Sequence, residues 1–83
     1  MLQAKYTKPN AGYDGDQKMC RENLTLGESY EVTYVSMGQS HTNIYLKGIE
    51  GCFNTVNFDF YEDGKPINIF RDPRYNPYLR RII

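Results

Sequence analysis

The sequence lacks several features on which catalytic and metal sites are usually built. It has no tryptophan, one histidine (His41) and two cysteines, Cys20 and Cys52, that are far apart in the chain. A cysteine nucleophile needs a nearby base, and a structural zinc site needs about four ligands with local pairing such as Cys-x-x-Cys. Neither pattern occurs, so we predict no catalytic residue and no metal site. We interpret His41 as an exposed loop residue and both cysteines as small core residues.

Glycine-rich phosphate loops and long apolar runs are missing as well. The seven glycines are spread among turns and form neither a Gly-x-x-x-x-Gly-Lys nor a Gly-x-Gly-x-x-Gly motif. The segment 14–16 matches only the start of a calcium loop, without its later ligands. No run is long enough for a signal sequence or a membrane span. We therefore expect a cytoplasmic protein that is not an enzyme, binds no cofactor and contacts no membrane.

Neither sign of charge dominates, since ten Lys and Arg balance ten Asp and Glu. The distribution is uneven: residues 1–70 hold six basic and nine acidic residues, whereas residues 71–83 hold four basic residues and one acidic residue. A nucleic-acid-binding domain usually carries a basic excess over its whole length. Binding of nucleic acid would therefore depend on the last thirteen residues.

The stretch 24–35 is the clearest structural signal. Period-two alternation places Tyr30, Val32 and Tyr34 on one face of a strand. Gly27 precedes this strand and supplies a turn, because glycine adopts positive φ at little steric cost. This opening resembles the first long strand of small SH3-like barrels.

The remaining elements are predicted from alternation and from turn residues. Strands are expected near 2–7, 29–35, 42–47 and 52–61, with an edge strand at 67–70 after Pro66 and a short helix at 16–23. The fold class is therefore mainly β: a small SH3-like barrel or a curled antiparallel sheet of four to five strands, with one short N-terminal helix. We divide the chain into a β domain at 1–70 and a C-terminal tail at 71–83. The predicted core consists of Tyr30, Val32, Ile44, Leu46, Val56 and Phe58.

Aromatic residues are the most informative excess, with eight tyrosines and four phenylalanines. Four tyrosines fall outside the predicted core: Tyr45, Tyr61, Tyr75 and Tyr78. Exposed tyrosines commonly mark contact surfaces. The equally weighted alternative is that they lie flat on the sheet beneath the tail.

The tail carries the basic residues Arg71, Arg74, Arg80 and Arg81. Asp72-Pro73 and Asn76-Pro77 each predict a short helical turn. In one interpretation the tail folds back, with Arg71 or Arg74 near Asp59 or Glu62 and Leu79 or Ile82 over Tyr61. In the other, slightly favoured, it contacts a partner or a second copy of the chain.

A resemblance to known proteins rests on the segments 20–24, 26–32, 44–48 and 53–58. Together they resemble short uncharacterised proteins of phages and prophages of Gram-positive bacteria, over about residues 1–75. The resemblance implies an SH3-like barrel, a phage context and, for a phage-encoded protein, the host cytoplasm. Such proteins are often accessory factors that bind a macromolecule, and some inhibit host defence nucleases.

These observations predict a non-enzymatic binding protein. Its expected partner is a protein, with a host defence or DNA-processing factor as the specific case. The tentative binding residues are the four tyrosines and the four tail arginines. A homodimer is an alternative assembly. The alternative function is nucleic-acid binding, with the tail arginines on phosphates and Tyr75 and Tyr78 stacking on bases.

Overall fold

A computed structural model describes the backbone of residues 1–82 and the side chains of residues 1–79. Six strands are formed: β1 (Leu2–Tyr6), β2 (Ser29–Met37), β3 (Thr42–Leu46), β4 (Phe53–Asn54), β5 (Phe58–Glu62) and β6 (Lys65–Pro66). One α-helix, α1 (Asp14–Asn23), follows β1. Three 3₁₀ helices cover Thr55–Asn57, Ile69–Arg71 and Pro77–Ile82. The mainly β prediction with one short N-terminal helix is confirmed.

The strands form one antiparallel sheet in the order β4-β3-β2-β1-β5-β6. Two of its strands are only two residues long, which explains why alternation predicted four to five. The first half of β2 pairs with β1 and the second half pairs with β3. A long strand shared by two halves of a sheet, with a 3₁₀ helix just before β5, is consistent with the SH3-like barrel that we expected.

The core lies on one face of this sheet. Leu2, Ala4 and Tyr6 alternate inward along β1, which pairs with both β2 and β5. Ile44 and Leu46 of β3 are buried as predicted. The full set of buried apolar residues is Leu2, Ala4, Tyr6, Cys20, Leu24, Ile44, Leu46, Phe53, Phe58, Phe60 and Ile69. Tyr30 and Val32 pack against it and are half-buried.

The predicted alternation fails at Tyr34. The register between β2 and β3 shifts between Val32, which faces Leu46, and Tyr34, which faces Tyr45. This β-bulge leaves Thr33 unpaired and reverses the side-chain alternation that follows it. Tyr34 is 63% exposed as a result, and Val35 packs against the core in its place.

The predicted strand over 52–61 is interrupted. Thr55–Asn57 forms a 3₁₀ helix between β4 and β5, so that Val56 points outward and is 44% exposed. Its neighbour Asn57 is fully buried instead. The prediction of Val56 in the core was therefore wrong, whereas Phe58, which begins β5, is buried as expected.

The edge of the sheet also differs from the prediction. Asp63 and Gly64 have φ values of 51° and 81°, and they form a hairpin turn. The edge strand after this turn is β6, Lys65–Pro66. The segment predicted as a strand, 67–70, contains part of the second 3₁₀ helix instead.

Gly27→Val is expected to destabilise the protein by about 1–3 kcal/mol, because a β-branched residue is strained at positive φ. Gly27 has φ +89°, and its amide donates to the carbonyl of Tyr6 at 2.8 Å. Urea unfolding measures the loss. Gly15→Ala is the control: an added Cβ there meets nothing within 4 Å and the position is helical, so this change should be neutral or stabilising. Equal effects of the two substitutions would contradict the prediction.

Candidate functional site

One concave surface of the described residues is a groove of about 740 Å³ where four parts of the chain meet. It is called the aromatic groove below. Its lining consists of Gly12, Tyr13, Met37, Gly38, Gln39, Ser40, His41, Thr42, Asn54, Thr55, Val56, Phe70, Asn76 and Tyr78. Among the residues whose side chains the structure describes, no Asp, Glu, Lys or Arg is part of this lining. The side chains of Tyr13, Val56, Phe70 and Tyr78 are exposed, so the groove offers apolar surface to a ligand.

Three asparagines place apolar residues in the groove by the same local device. The side-chain oxygen of Asn54 accepts from the amide of Val56 at 3.1 Å. The side-chain oxygen of Asn68 accepts from the amide of Phe70 at 3.0 Å. The side-chain oxygen of Asn76 accepts from the amide of Tyr78, also at 3.0 Å. An asparagine bonded to the amide two residues later forms a local turn. Each turn thus ends on a groove residue.

The second of these turns also separates core from groove. Ile69 follows Asn68 and is 1% exposed, whereas the next residue, Phe70, is 45% exposed. The turn therefore anchors the chain in the core with one side chain and presents the neighbouring ring to the groove.

The carboxylate of Asp16 joins two walls of the groove. Its Oδ2 accepts from the backbone amide of Tyr13 at 3.0 Å and from Nδ2 of Asn54 at 3.3 Å. Asp16 is thus both the residue that closes the first turn of α1 and a link to the first 3₁₀ helix. The helix α1 begins two residues earlier than predicted, and Tyr13 occupies the N-cap.

The opposite wall is the turn between β2 and β3. The amide of Gly38 donates to the carbonyl of His41 at 2.8 Å, and a Cβ on Gly38 would lie 2.9 Å from that oxygen. The tail reaches this turn, since the hydroxyl of Tyr78 donates to the carbonyl of Met37 at 3.4 Å. His41 lies in an exposed loop, as predicted.

The tail is fastened to the sheet by Glu62. Its Oε1 accepts from Nη2 of Arg74 at 2.6 Å, and its Oε2 accepts from the hydroxyl of Tyr75. Arg74 also binds the carboxylate of Asp72 at 2.6 Å. Hydrogen bonds from Tyr75 and Arg74 lower the pKa of Glu62, and those from Arg74 lower the pKa of Asp72. Burial, and then the bond to Glu62, raises the pKa of Tyr75 to about 12.

Acid is expected to weaken the attachment of the tail. A carboxyl group whose pKa is lowered by folding stabilises the protein at pH values above its ordinary pKa of about 4. This stabilisation is lost as the pH falls through the lowered pKa. Glu62 and Asp72 both have lowered pKa values. The melting temperature should therefore fall below about pH 4. The titratable groups facing Glu62 are Arg74, Tyr75 and the terminal amine. A melting temperature unchanged down to about pH 2 would contradict this account.

The structure separates the predicted binding residues into several locations. Tyr78 lines the aromatic groove, whereas Tyr45 lies on the outer face of β3 with its ring centroid 5.9 Å from that of Tyr34. Tyr61 is half-buried in β5, between Gln3 and Pro66 in register.

The tail residues fall into three groups. Arg74 and Tyr75 contact the sheet through Glu62, and Tyr75 also packs against the core. The contact between Arg74 and Glu62 is the one expected if the tail folds back. Arg71 is exposed beside Phe70. The side chains of Arg80 and Arg81, and the predicted cover of Tyr61 by Ile82, lie outside the described residues.

Sequence reasoning missed Tyr13, Val56 and Phe70 as groove residues. Val56 had been assigned to the core and Phe70 to an edge strand. A signal was present in the repeated pattern of asparagine, any residue and an apolar residue: Asn54-Thr55-Val56, Asn68-Ile69-Phe70 and Asn76-Pro77-Tyr78. Asparagine at such spacing favours turns that break strand alternation.

In the described part of the chain, no group of three or more His, Cys, Asp or Glu side chains is placed to hold a metal ion, and no helix has the length and apolar character to span a membrane. Cys20 is buried in the core. Burial, and then the nearby Asp16, raises the pKa of its thiol to about 11, so it is a weak nucleophile at neutral pH.

Fold and site together define a small, mainly β domain with an open groove that has aromatic walls. A family model described as Bacteriophage T4 protein Y07B matches residues 1–81, so the chain belongs to this bacteriophage family. The expected phage context is thereby confirmed. Comparison with curated proteins and with solved structures gave no match.

Proposed function

We propose that this phage protein is a non-enzymatic binding module that takes an extended apolar segment of a partner protein into the aromatic groove. The observation that supports it is the exposure of Tyr13, Val56, Phe70 and Tyr78 along a groove whose described lining contains no Asp, Glu, Lys or Arg. Buried aromatic anchors supply most of the affinity in protein interfaces, and charged residues are depleted at interface centres.

The ion pairs of Arg74 and the described lining of the groove favour a protein over a nucleic acid as the partner. Phosphate binding requires cations that are available to the ligand. Arg74 is committed to Glu62 and Asp72, and the lining residues that the structure describes include no Lys or Arg. The carboxylate of Asp16 bonds to Tyr13 and Asn54 of the groove lining, where it would repel phosphates.

The phage family suggests where the partner acts. A phage protein of this size that binds another protein fits an accessory factor, and a host defence or DNA-processing factor in the host cytoplasm is the specific partner class that we propose. A Gram-positive host is part of the same proposal. It is tested by comparing lysates of a Gram-positive and a Gram-negative bacterium.

The experiment compares capture of a partner by three forms of the protein. The original chain, Phe70→Ala and Tyr34→Ala are immobilised, and captured proteins are quantified by mass spectrometry. Phe70 lies in the groove and Tyr34 lies outside it, yet both are exposed aromatic residues. We expect one protein to be retained in stoichiometric amount by the original chain and by Tyr34→Ala. Phe70→Ala should bind it about tenfold more weakly, the effect of losing one aromatic anchor.

Two results would refute the proposal. One is equal capture by Phe70→Ala and the original chain. The other is the absence of a stoichiometric protein partner together with nucleic-acid binding that weakens as salt rises, which would establish the alternative function. Activity of the captured partner, measured with and without the phage protein, tests inhibition separately.

A further inference from the structure

One wall of the aromatic groove depends on a carboxylate that lies outside the groove. Phe70, Asn76 and Tyr78 form the tail side of the groove. They belong to short helical turns after β6 and not to the sheet. Glu62 is the β5 residue that binds this part of the tail.

Glu62 restrains the tail through two adjacent residues. Arg74 donates from Nη2 to one carboxylate oxygen at 2.6 Å, and the Tyr75 hydroxyl donates to the other. Asp72 orients the same guanidinium, because Nε of Arg74 donates to both carboxylate oxygens of Asp72 at 3.1 Å. The guanidinium of Arg74 lies between two carboxylates, and the phenol of Tyr75 donates to one of them. These hydrogen bonds are directional, so they fix the position of the backbone that carries Arg74 and Tyr75.

The restraint continues into the groove through Asn76. The amides of Tyr75 and Asn76 donate to the carbonyl of Asp72 at 3.0 and 2.8 Å. The side chain of Asn76 then donates to the carbonyl of Phe70 at 2.7 Å and accepts from the amide of Tyr78 at 3.0 Å. Asn76, which follows Arg74 and Tyr75 in the chain, is therefore hydrogen-bonded to both groove aromatics of the tail, Phe70 and Tyr78.

We propose that Glu62 is a positioning residue for the aromatic groove, and that its carboxylate sets the affinity for the partner by holding the tail wall in place. The part of this inference that concerns affinity rests on the proposed function. The part that concerns the tail rests on geometry alone. The two parts are tested separately.

The first test needs no partner. Amide hydrogen exchange is measured for Glu62→Gln and for Asp63→Asn, each of which removes one negative charge. Asp63 is the matched control because it is the next residue and pairs with the terminal amine at 3.0 Å, away from the tail. In Glu62→Gln, exchange at Asn76 and Tyr78 should be about five- to tenfold faster, as expected for losing a charge-assisted contact at the surface. Exchange at Ile44 in the core should be unchanged. Unchanged exchange in the tail would overturn the inference.

The second test uses the captured partner. Glu62→Gln should bind it about fivefold more weakly while Asp63→Asn binds normally. If the tail loosens but affinity does not change, the coupling between Glu62 and the groove is refuted and the proposed function stands. If Phe70→Ala also binds normally, the proposed function is the part that fails.

A second variant, Tyr75→Phe, tests the same contact in case Glu62→Gln loses its overall structure. Tyr75→Phe removes only the hydroxyl that donates to Glu62 and retains the ring that packs against the core. It should accelerate exchange at Asn76 and Tyr78 with little change in melting temperature. Slow exchange in the tail of this variant, equal to that of the original chain, would count against the inference.

Discussion

Phe58→Ala is expected to remove most of the stability of the protein. Phe58 is 4% exposed, and its ring centroid lies 5.9 Å from that of Tyr6 and 6.3 Å from those of Phe53 and Phe60. Removing a buried phenylalanine costs about 3–5 kcal/mol, because apolar burial is lost and a cavity remains. A domain of this size has a stability of about 5 kcal/mol. Circular dichroism and urea titration measure the loss.

Val56→Ala is the matched control for this prediction. Both residues were assigned to the core by sequence alternation, yet Val56 is 44% exposed. Its truncation should therefore cost less than about 0.5 kcal/mol. A loss from Val56→Ala as large as that from Phe58→Ala would show that a regular strand, and not a 3₁₀ helix, occupies this segment.

Asn57→Asp is expected to cost more than about 3 kcal/mol at neutral pH, although the two side chains have the same shape. Asn57 is fully buried. Its Nδ2 donates to the carbonyls of Lys8 and Ala11 at 2.8 and 3.0 Å. The new carboxylate has no N–H to donate to these two carbonyl oxygens. It would also place a buried negative charge beside them.

The loss from Asn57→Asp should depend on pH. Burial raises the pKa of the introduced carboxyl, so stability should fall as the pH rises above the ordinary aspartate value of about 4. Thermal melts near pH 4 and pH 7, compared with those of the original chain, measure this dependence. Asn68→Asp is the control. Asn68 is exposed and only accepts, from the amide of Phe70, a role that aspartate fills equally well. Similar losses from the two substitutions would contradict the assigned role of Asn57.

The longer elements could be predicted because their residues repeat with a regular period. The alternation in β1 and β3, the turn at Gly27 and the hairpin at Asp63-Gly64 all follow from local chemistry. The helix was predicted from its apolar spacing, although its start was placed at 16 and not at Asp14. These signals are strong because several neighbouring residues agree.

The errors occur where a single residue changes the period. A β-bulge after Val32 exposes Tyr34, and a three-residue 3₁₀ helix exchanges the environments of Val56 and Asn57. Neither feature is visible to a rule that counts apolar residues at every second position. The groove was missed for the same reason, since its residues lie in such interruptions. The contact between Arg74 and Glu62 was anticipated from charge.

The central position of β1 affects how the chain reaches its folded state. β1 pairs with β2 and with β5, and the neighbouring contact of Lys8 with Asp59 joins residues 51 positions apart. The chain loses the entropy of closing such a loop before the contacts within it stabilise the fold. Proteins dominated by distant pairings therefore fold in about milliseconds to seconds. Tyr13 follows β1 and Val56 precedes β5, so the two residues meet only after this closure. Chains still folding therefore have no assembled groove, and a partner that binds it selects fully folded molecules.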